Sequence, residues 1–124
     1  TVTDITTSTV SGNTGFNSFG HFNVNAGNTV NLHVPKGKAN LVNLVQDSRT
    51  VINGNLNGLK DGSIGGNIIF ADPHGLVVGA SGVVNVGSLT VTTPSPAQMS
   101  QLAATMTNGS DRSELRRYPN TRPR

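Results

Sequence analysis

The chain has 124 residues, one small domain by length, with aromatics at 4%, charged residues at 12% and no cysteine. So few aromatics would starve an ordinary globular core, and the missing cysteines exclude a disulfide framework and a thiolate metal site. The formal charge of +3 comes entirely from residues 111–124, while the body before them is neutral, so nucleic acid is not an expected partner.

Residues 1–15 are rich in Thr, Ser, Gly and Asn, with isolated Val2, Ile5 and Val10, and read as an edge strand or a frayed lead-in. Phe16, Phe19 and Phe22 then cluster, as if to plug the end of a stacked structure. Strands are expected at Phe22–Asn25, Thr29–Val34, Leu41–Val45 and Val51–Leu56. Ala26-Gly27-Asn28, Pro35-Lys36-Gly37, Gln46-Asp47-Ser48 and Asn57-Gly58 divide them. Val30, Leu32 and Val34 alternate with Asn31 and His33, the period of a half-buried strand.

The stretch from Gly66 to Thr93 is the most informative. Ile68–Ala71, Leu76–Val78, Val83–Val86 and Leu89–Thr92 are β-type runs separated only by Gly, Asp-Pro or Ser-Gly breaks. Strands this short are unstable as isolated hairpins and must stack on similar neighbours, as in a solenoid. Gly and Asn, 15 of each, suit its corners, and inward Asn side chains can bond from coil to coil. The regular aliphatic spacing argues against a flexible linker. At roughly 20–25 residues per coil, Phe22–Thr93 makes about three coils.

Composition then changes. Ser95-Pro96-Ala97-Gln98 combines an N-cap, a helix-starting proline and a capping-box glutamine. Met99, Leu102, Ala103 and Met106 follow at helical spacing, and Asn108-Gly109 stops the pattern. The expected division is a β-helical part at 1–93, a short amphipathic helix at 94–109 and an Arg/Pro-rich disordered tail at 110–124. No apolar run approaches the roughly 20 residues of a membrane-spanning helix. Thr1 opens the chain with neither Met nor a signal peptide, which reads as a mature form or a fragment.

Candidate chemistry is sparse. His21, His33 and His74 share no spacing that suggests a site, so no metal and no cofactor is expected. Asp47, Asp61 and Asp72 are the carboxylates a glycan-cleaving solenoid would use, but Asp47 and Asp61 sit in turn-like text. Gly79-Ala80-Ser81-Gly82-Val83 lacks the Gly-x-Ser-x-Gly of a nucleophile elbow and reads as a corner. Gly65-Gly66-Asn67 opens no helix and cradles no phosphate. No catalytic residue is therefore expected. Asn53, Gly54, Asn67, Asn85 and Gly87 stand out as structural positions, with Asn55 and Asn57; whether their amides point inward or outward is open at this stage.

Four segments, Asn17–Leu32, Ala39–Val45, Thr50–Leu59 and the stretch from Gly66 to Thr93, together resemble the N-terminal secretion domain of two-partner-secretion exoproteins. That family includes the filamentous haemagglutinins and leukotoxin-like adhesins. Its Asn-Pro-Asn-Gly-Ile turn is matched by Asp72-Pro73-His74-Gly75-Leu76, keeping Pro and Gly and replacing both Asn. The family domain is usually longer, and the Arg-rich end does not look like it. The resemblance implies an all-β fold, a right-handed parallel β-helix built as a single-stranded solenoid, here with a short C-terminal helix and a disordered tail. It implies secretion to the surface of a Gram-negative bacterium via the periplasm. The implied partner is an outer-membrane TpsB-type β-barrel transporter with periplasmic POTRA modules. Asp72, Pro73, His74, Gly75 and Leu76 would be its recognition turn, and the full-length exoprotein would meet a host-cell surface or glycan. A solenoid that binds or cleaves polysaccharide is the competing expectation.

Overall fold

The computed structural model describes residues 1–110 as a parallel β-solenoid followed by one helix. The chain winds past three faces. Face A stacks β1 (Val2–Ile5), β5 (Thr29–His33), β8 (Asn55–Lys60) and β12 (Val83–Asn85), all parallel. Face B stacks β3 (Thr14–Phe19), β6 (Asn40–Val45), β10 (Asn67–Ala71) and β13 (Ser88–Thr92), also parallel. Face C is β4 (Asn23–Val24), β7 (Thr50–Ile52) and β11 (Leu76–Val78). Two excursions pair antiparallel: β2 (Val10–Ser11) on β3, and β9 (Ser63–Ile64) on β8. The result is three full coils and the first two strands of a fourth.

The winding starts earlier than the sequence suggested. β1 pairs with β5 over its whole length, so the lead-in is the first rung. Coil spacing along face A is 27, 26 and 28 residues, longer than expected, because each full coil has a long connection from face A to face B, which carries β2 in the first and β9 in the third. Where β12 passes directly to β13, the step on face B shortens to 21.

The expected strand Val51–Leu56 is two strands, and the corner lies at Asn53-Gly54, not at Asn57-Gly58. Gly54 is needed at that corner: a Cβ there would collide with the carbonyl oxygens of Asn25 and Asn28 in the coil before it. Gly58 sits inside β8 facing the lumen. A Cβ on it would lie 2.7 Å from the Ile68 side chain and 3.0 Å from that of Val86.

Period-2 alternation fills the lumen. Val30 and Leu32, Leu41 and Val45, Ile52, Leu56, Ile68 and Phe70 all point inward and are buried. Each fully buried aliphatic contributes about 1.5–3 kcal/mol, enough to hold strands too short to persist alone. Phe22 packs edge-on to Phe19 at 5.0 Å and to Phe70 at 5.2 Å. The aromatic cluster thus divides: Phe22 runs along the lumen to the third coil, while Phe16 is buried outside the core cluster.

The two ends of the tube differ. At the start, Phe22, Val24 and Asn17 are buried, and Thr7 donates to the Phe16 carbonyl at 2.7 Å, fastening the lead-in across the end. At the finish, the inward positions Val78, Leu89 and Val91 are 44%, 37% and 41% exposed. β11, β12 and β13 each pair on one side only, as β1 and β4 do at the start, where β2 covers the edge of β3.

After β13 the chain turns through buried Pro94 into α1 (Pro96–Ser110). The capping box forms: Ser95 Oγ accepts the Gln98 N–H at 3.2 Å, and Gln98 Oε1 accepts the Ser95 N–H at 2.9 Å. α1 lies against β6 and β2 on the outside of face B, with Met99, Leu102 and Ala103 half-buried. Leu44 and Ala71, outward residues of face B, are fully or nearly buried. The tail expected from residue 110 lies, from Asp111 on, outside the described residues.

Candidate functional site

The turn Asp72–Leu76 joins face B to face C in the third coil, and its geometry follows from its residues. Asp72 is completely buried, with two hydrogen bonds to its carboxylate. Oδ1 accepts the His74 N–H at 2.8 Å and Oδ2 accepts the Thr50 hydroxyl at 2.8 Å, fastening the turn to the coil before it. The Gly75 N–H closes onto the Asp72 carbonyl at 3.0 Å. Pro73 supplies the φ that the second turn position needs, and Gly75 has φ +88°, where a side chain is strained. The Gly75 carbonyl accepts the Thr50 N–H at 3.0 Å. Leu76 packs against the core, while His74 remains exposed.

The same corner stacks through every coil. His21 and Ser48 meet at 2.6 Å between Nδ1 and Oγ, and Arg49 Nε donates to the His74 carbonyl at 3.5 Å. Asp47 lies in this column, its N–H on the Gly20 carbonyl at 2.8 Å. A Ser–His pair invites thought of a nucleophile, yet this one is exposed on a turn, where a corner-to-corner bond accounts for it.

The opposite corner, from face C to face A, holds Asn53 and Gly54. Their N–H groups both reach the Val24 carbonyl, at 2.7 and 3.0 Å. Ser81 Oγ donates to the Asn53 carbonyl at 2.7 Å, and the Asn53 side chain lies against Gly79. Gly79–Val83 is thus the next layer of the same corner. Gly87 makes a similar close approach: a Cβ there would stand 2.6 Å from the Gly66 oxygen.

The asparagines named from the sequence point outward. On face A, Asn85 Nδ2 donates to Asn57 Oδ1, Asn57 to Asn31 and Asn31 to Asp4, each at 3.0 Å. Asn55 reaches Thr29 at 3.5 Å beside it. On face B, Ser88 and Asn67 continue a second row to Asn40 and Thr14, at 2.8, 2.8 and 3.3 Å. The inward amides are two that sequence reasoning missed. Asn17 Nδ2 donates to Asn43 Oδ1 at 3.1 Å, and Asn43 Nδ2 to the Ile69 carbonyl at 3.2 Å, both residues buried. The signal was present, because Asn43 sits midway between the inward Leu41 and Val45.

Electrostatics are mild. His33 Nε2 lies 2.9 Å from Asp4 Oδ1, and the hydrogen bonds from His33 and then Asn31 hold the Asp4 carboxyl below its ordinary value of 3.8. Asp61, at φ +55°, sits at the tip of the β8–β9 hairpin with Lys60 Nζ at 3.3 Å. The three body carboxylates weighed above therefore occupy a buried turn, a hairpin tip and an exposed corner. Among the described residues no group of three or more His, Asp or Glu is placed to hold a metal ion, and no helix is long and apolar enough to cross a membrane. What the arrangement offers chemically is backbone edges, turns and rows of amides, the chemistry of recognition by hydrogen bonding.

A family model described as TPS secretion domain matches residues 1–114, which include the whole solenoid. No curated protein and no solved structure matches the chain significantly.

Proposed function

The chain belongs to the TPS secretion-domain family, a two-partner-secretion exoprotein substrate, and from that premise we propose that it is the module by which an outer-membrane transporter recognises a haemagglutinin-like adhesin. The observation that carries this reading is the family match across all of the stacked coils. In the proposed mechanism the periplasmic POTRA modules of a TpsB-type barrel bind the domain before it winds. An extended β-rich segment adds to a sheet edge through main-chain hydrogen bonds, with modest demands on side chains. Outside the cell the coils wind, and each completed rung templates the next because a coil contacts only its neighbours.

The Asp72–Leu76 turn is the proposed recognition element. Its Asp72 carboxylate–His74 N–H and Asp72 carbonyl–Gly75 N–H bonds are local in sequence, so the turn can form before the coil winds. The full-length exoprotein then acts at a host surface of a Gram-negative pathogen. Co-expression with the partner transporter tests this: Gly75→Ala and Asn53→Ala should each lower the secreted fraction severalfold. Unchanged secretion in both would overturn the assignment.

A second reading has one observation in its favour. The Asn31–Asn57–Asn85 row on face A is a regular line of amides, a surface suited to a polysaccharide chain. A carbohydrate array separates the two readings, and a reducing-sugar assay tells binding from cleavage.

A further inference from the structure

We propose that Asn53-Gly54 and Asn57-Gly58 are self-modification sites, which deamidate while the chain is unwound and are closed to that reaction once the coils form. The peptide nitrogen of the glycine attacks the asparagine side-chain carbonyl carbon, a C–N bond forms, and the amide leaves as ammonia. Water then opens the resulting succinimide ring at either carbonyl. The product is aspartate or, with an extra methylene in the main chain, isoaspartate. Glycine is the follower that allows this most readily, since no Cβ hinders the nitrogen or the backbone rotation that brings it round.

The fold imposes the reactive pairs. A Cβ at position 54 would strike the carbonyl oxygens of Asn25 and Asn28, and one at position 58 the Ile68 side chain, so both followers are held to glycine. Asn57 in turn holds the middle of the face A row, donating to Asn31 and accepting from Asn85, each at 3.0 Å. The residues that fit the wound coil are those that make the unwound chain labile.

Winding holds the reacting groups apart. Gly54 is buried with its N–H on the Val24 carbonyl at 3.0 Å, so the proton that the attacking nitrogen must shed is engaged. Asn53 is fixed beside it, its carbonyl accepting the Ser81 hydroxyl and its side chain lying against Gly79. Gly58 is buried within β8 opposite Leu32, and the Asn57 amide would have to leave both row bonds to reach its nitrogen. β7 lies between β4 and β11, and β8 between β5 and β12, so neither site is on an outermost rung.

The product is barred from winding. Isoaspartate at position 57 lengthens the main chain inside β8, and the residues on its two sides cannot both keep register with β5 and β12. At position 53 the added length falls where the corner already packs against the coil before it. Taken with the export reading, on which this consequence rests, the reaction sets a time limit on the unwound chain; the site assignment itself stands apart from that reading.

The test holds the purified full chain wound in buffer or unwound in guanidinium chloride at the same mildly alkaline pH. Peptide mapping then follows amide loss and isoaspartate residue by residue. In the unwound chain Asn53 and Asn57 should convert ahead of Asn31, Asn43, Asn67 and Asn85, whose followers are Leu, Leu, Ile and Val. In the wound chain both should slow by more than about tenfold, because reaction then waits on the opening of an interior rung. After aged chains are diluted from denaturant, the wound pool should be depleted of modified molecules. Asn53→Gln with Asn57→Gln, aged alike, should wind as well as when fresh, since the longer side chain closes the ring far more slowly. Should that variant fail to wind when fresh, the modified fraction of the wound pool decides, and the rate comparison needs no rewinding. Equal rates in the two states, earlier conversion of the other asparagines, or modified chains that wind as readily as fresh ones would each overturn the proposal. None of these measurements involves the transporter, so their failure leaves the secretion reading standing, and unchanged secretion of Gly75→Ala and Asn53→Ala leaves these sites standing.

Discussion

The first coil and the last are made from the same residue types and wound in the same register, yet one is sealed and the other is not. In the first, a Thr-rich lead-in folds back across the end, Phe22 fills the lumen and Asn17 hands its amide to Asn43. In the last, Leu89 and Val91 occupy the corresponding inward positions with nothing stacked beyond them. A solenoid rung is therefore only as stable as its two neighbours make it. Both ends leave backbone edges unpaired, at β1 and β4 as at β11–β13, but the finish also exposes the inward apolar side chains of Val78, Leu89 and Val91.

Substitution can sharpen this contrast. Phe22→Ala removes a ring wedged between Phe19 and Phe70 and should cost about 3–5 kcal/mol. Leu89→Ala at the open end should cost no more than about 1 kcal/mol, because the side chain is already partly in water. Urea unfolding of both checks the ratio. Equal losses would mean that the ends are equally packed.

Asp72→Ala comes next. It strips acceptors from the Thr50 hydroxyl and the His74 N–H and should cost about 1–3 kcal/mol. Asp72→Asn retains an oxygen for His74 and an N–H that Thr50 can accept, so its loss should be under about 1 kcal/mol. A smaller difference separates the two positions of the face A row. Asn57 makes two row bonds and Asn85 one. Asn57→Ala should thus destabilise by about 1 kcal/mol and Asn85→Ala by about half of that.

The smallest effect is a pH dependence at the sealed end. Folding lowers the Asp4 pKa, so its ionised form favours the folded state above the ordinary value of 3.8, and that contribution disappears as pH falls through the depressed value. Thermal melts of Asp4→Asn should show a shallower acid limb than the wild type. Identical limbs would remove the His33 and Asn31 contacts from the account.

Much of this was legible in the sequence, for a physical reason. Strands that bury one face must alternate, and the left-handed backbone positions here are glycines and Asp61. Val30–Val34 and Ile68–Ala71 therefore announced themselves. The errors arose where one dipeptide served two purposes. Asn53-Gly54 and Asn57-Gly58 read alike, but one glycine makes way for neighbouring carbonyls and the other for the Ile68 side chain. That distinction belongs to the adjacent coil, not to the local text. The β8–β9 hairpin was readable and passed over: Asp61-Gly62, with both φ values positive, is a strong hairpin signal. The site was less legible than the fold. Turn chemistry identified Asp72–Leu76, but the burial of Asp72 under Thr50 depends on a partner 22 residues away.

Native-state hydrogen exchange tests the asymmetry most directly. Amides of β5, β6, β8 and β10 should open only with global unfolding, those of β3 nearly as rarely, and those of β12 and β13 through low-energy local fraying. Protection that is uniform from β3 to β13, or lowest in the first coil, would contradict a solenoid sealed at its start and open at its finish.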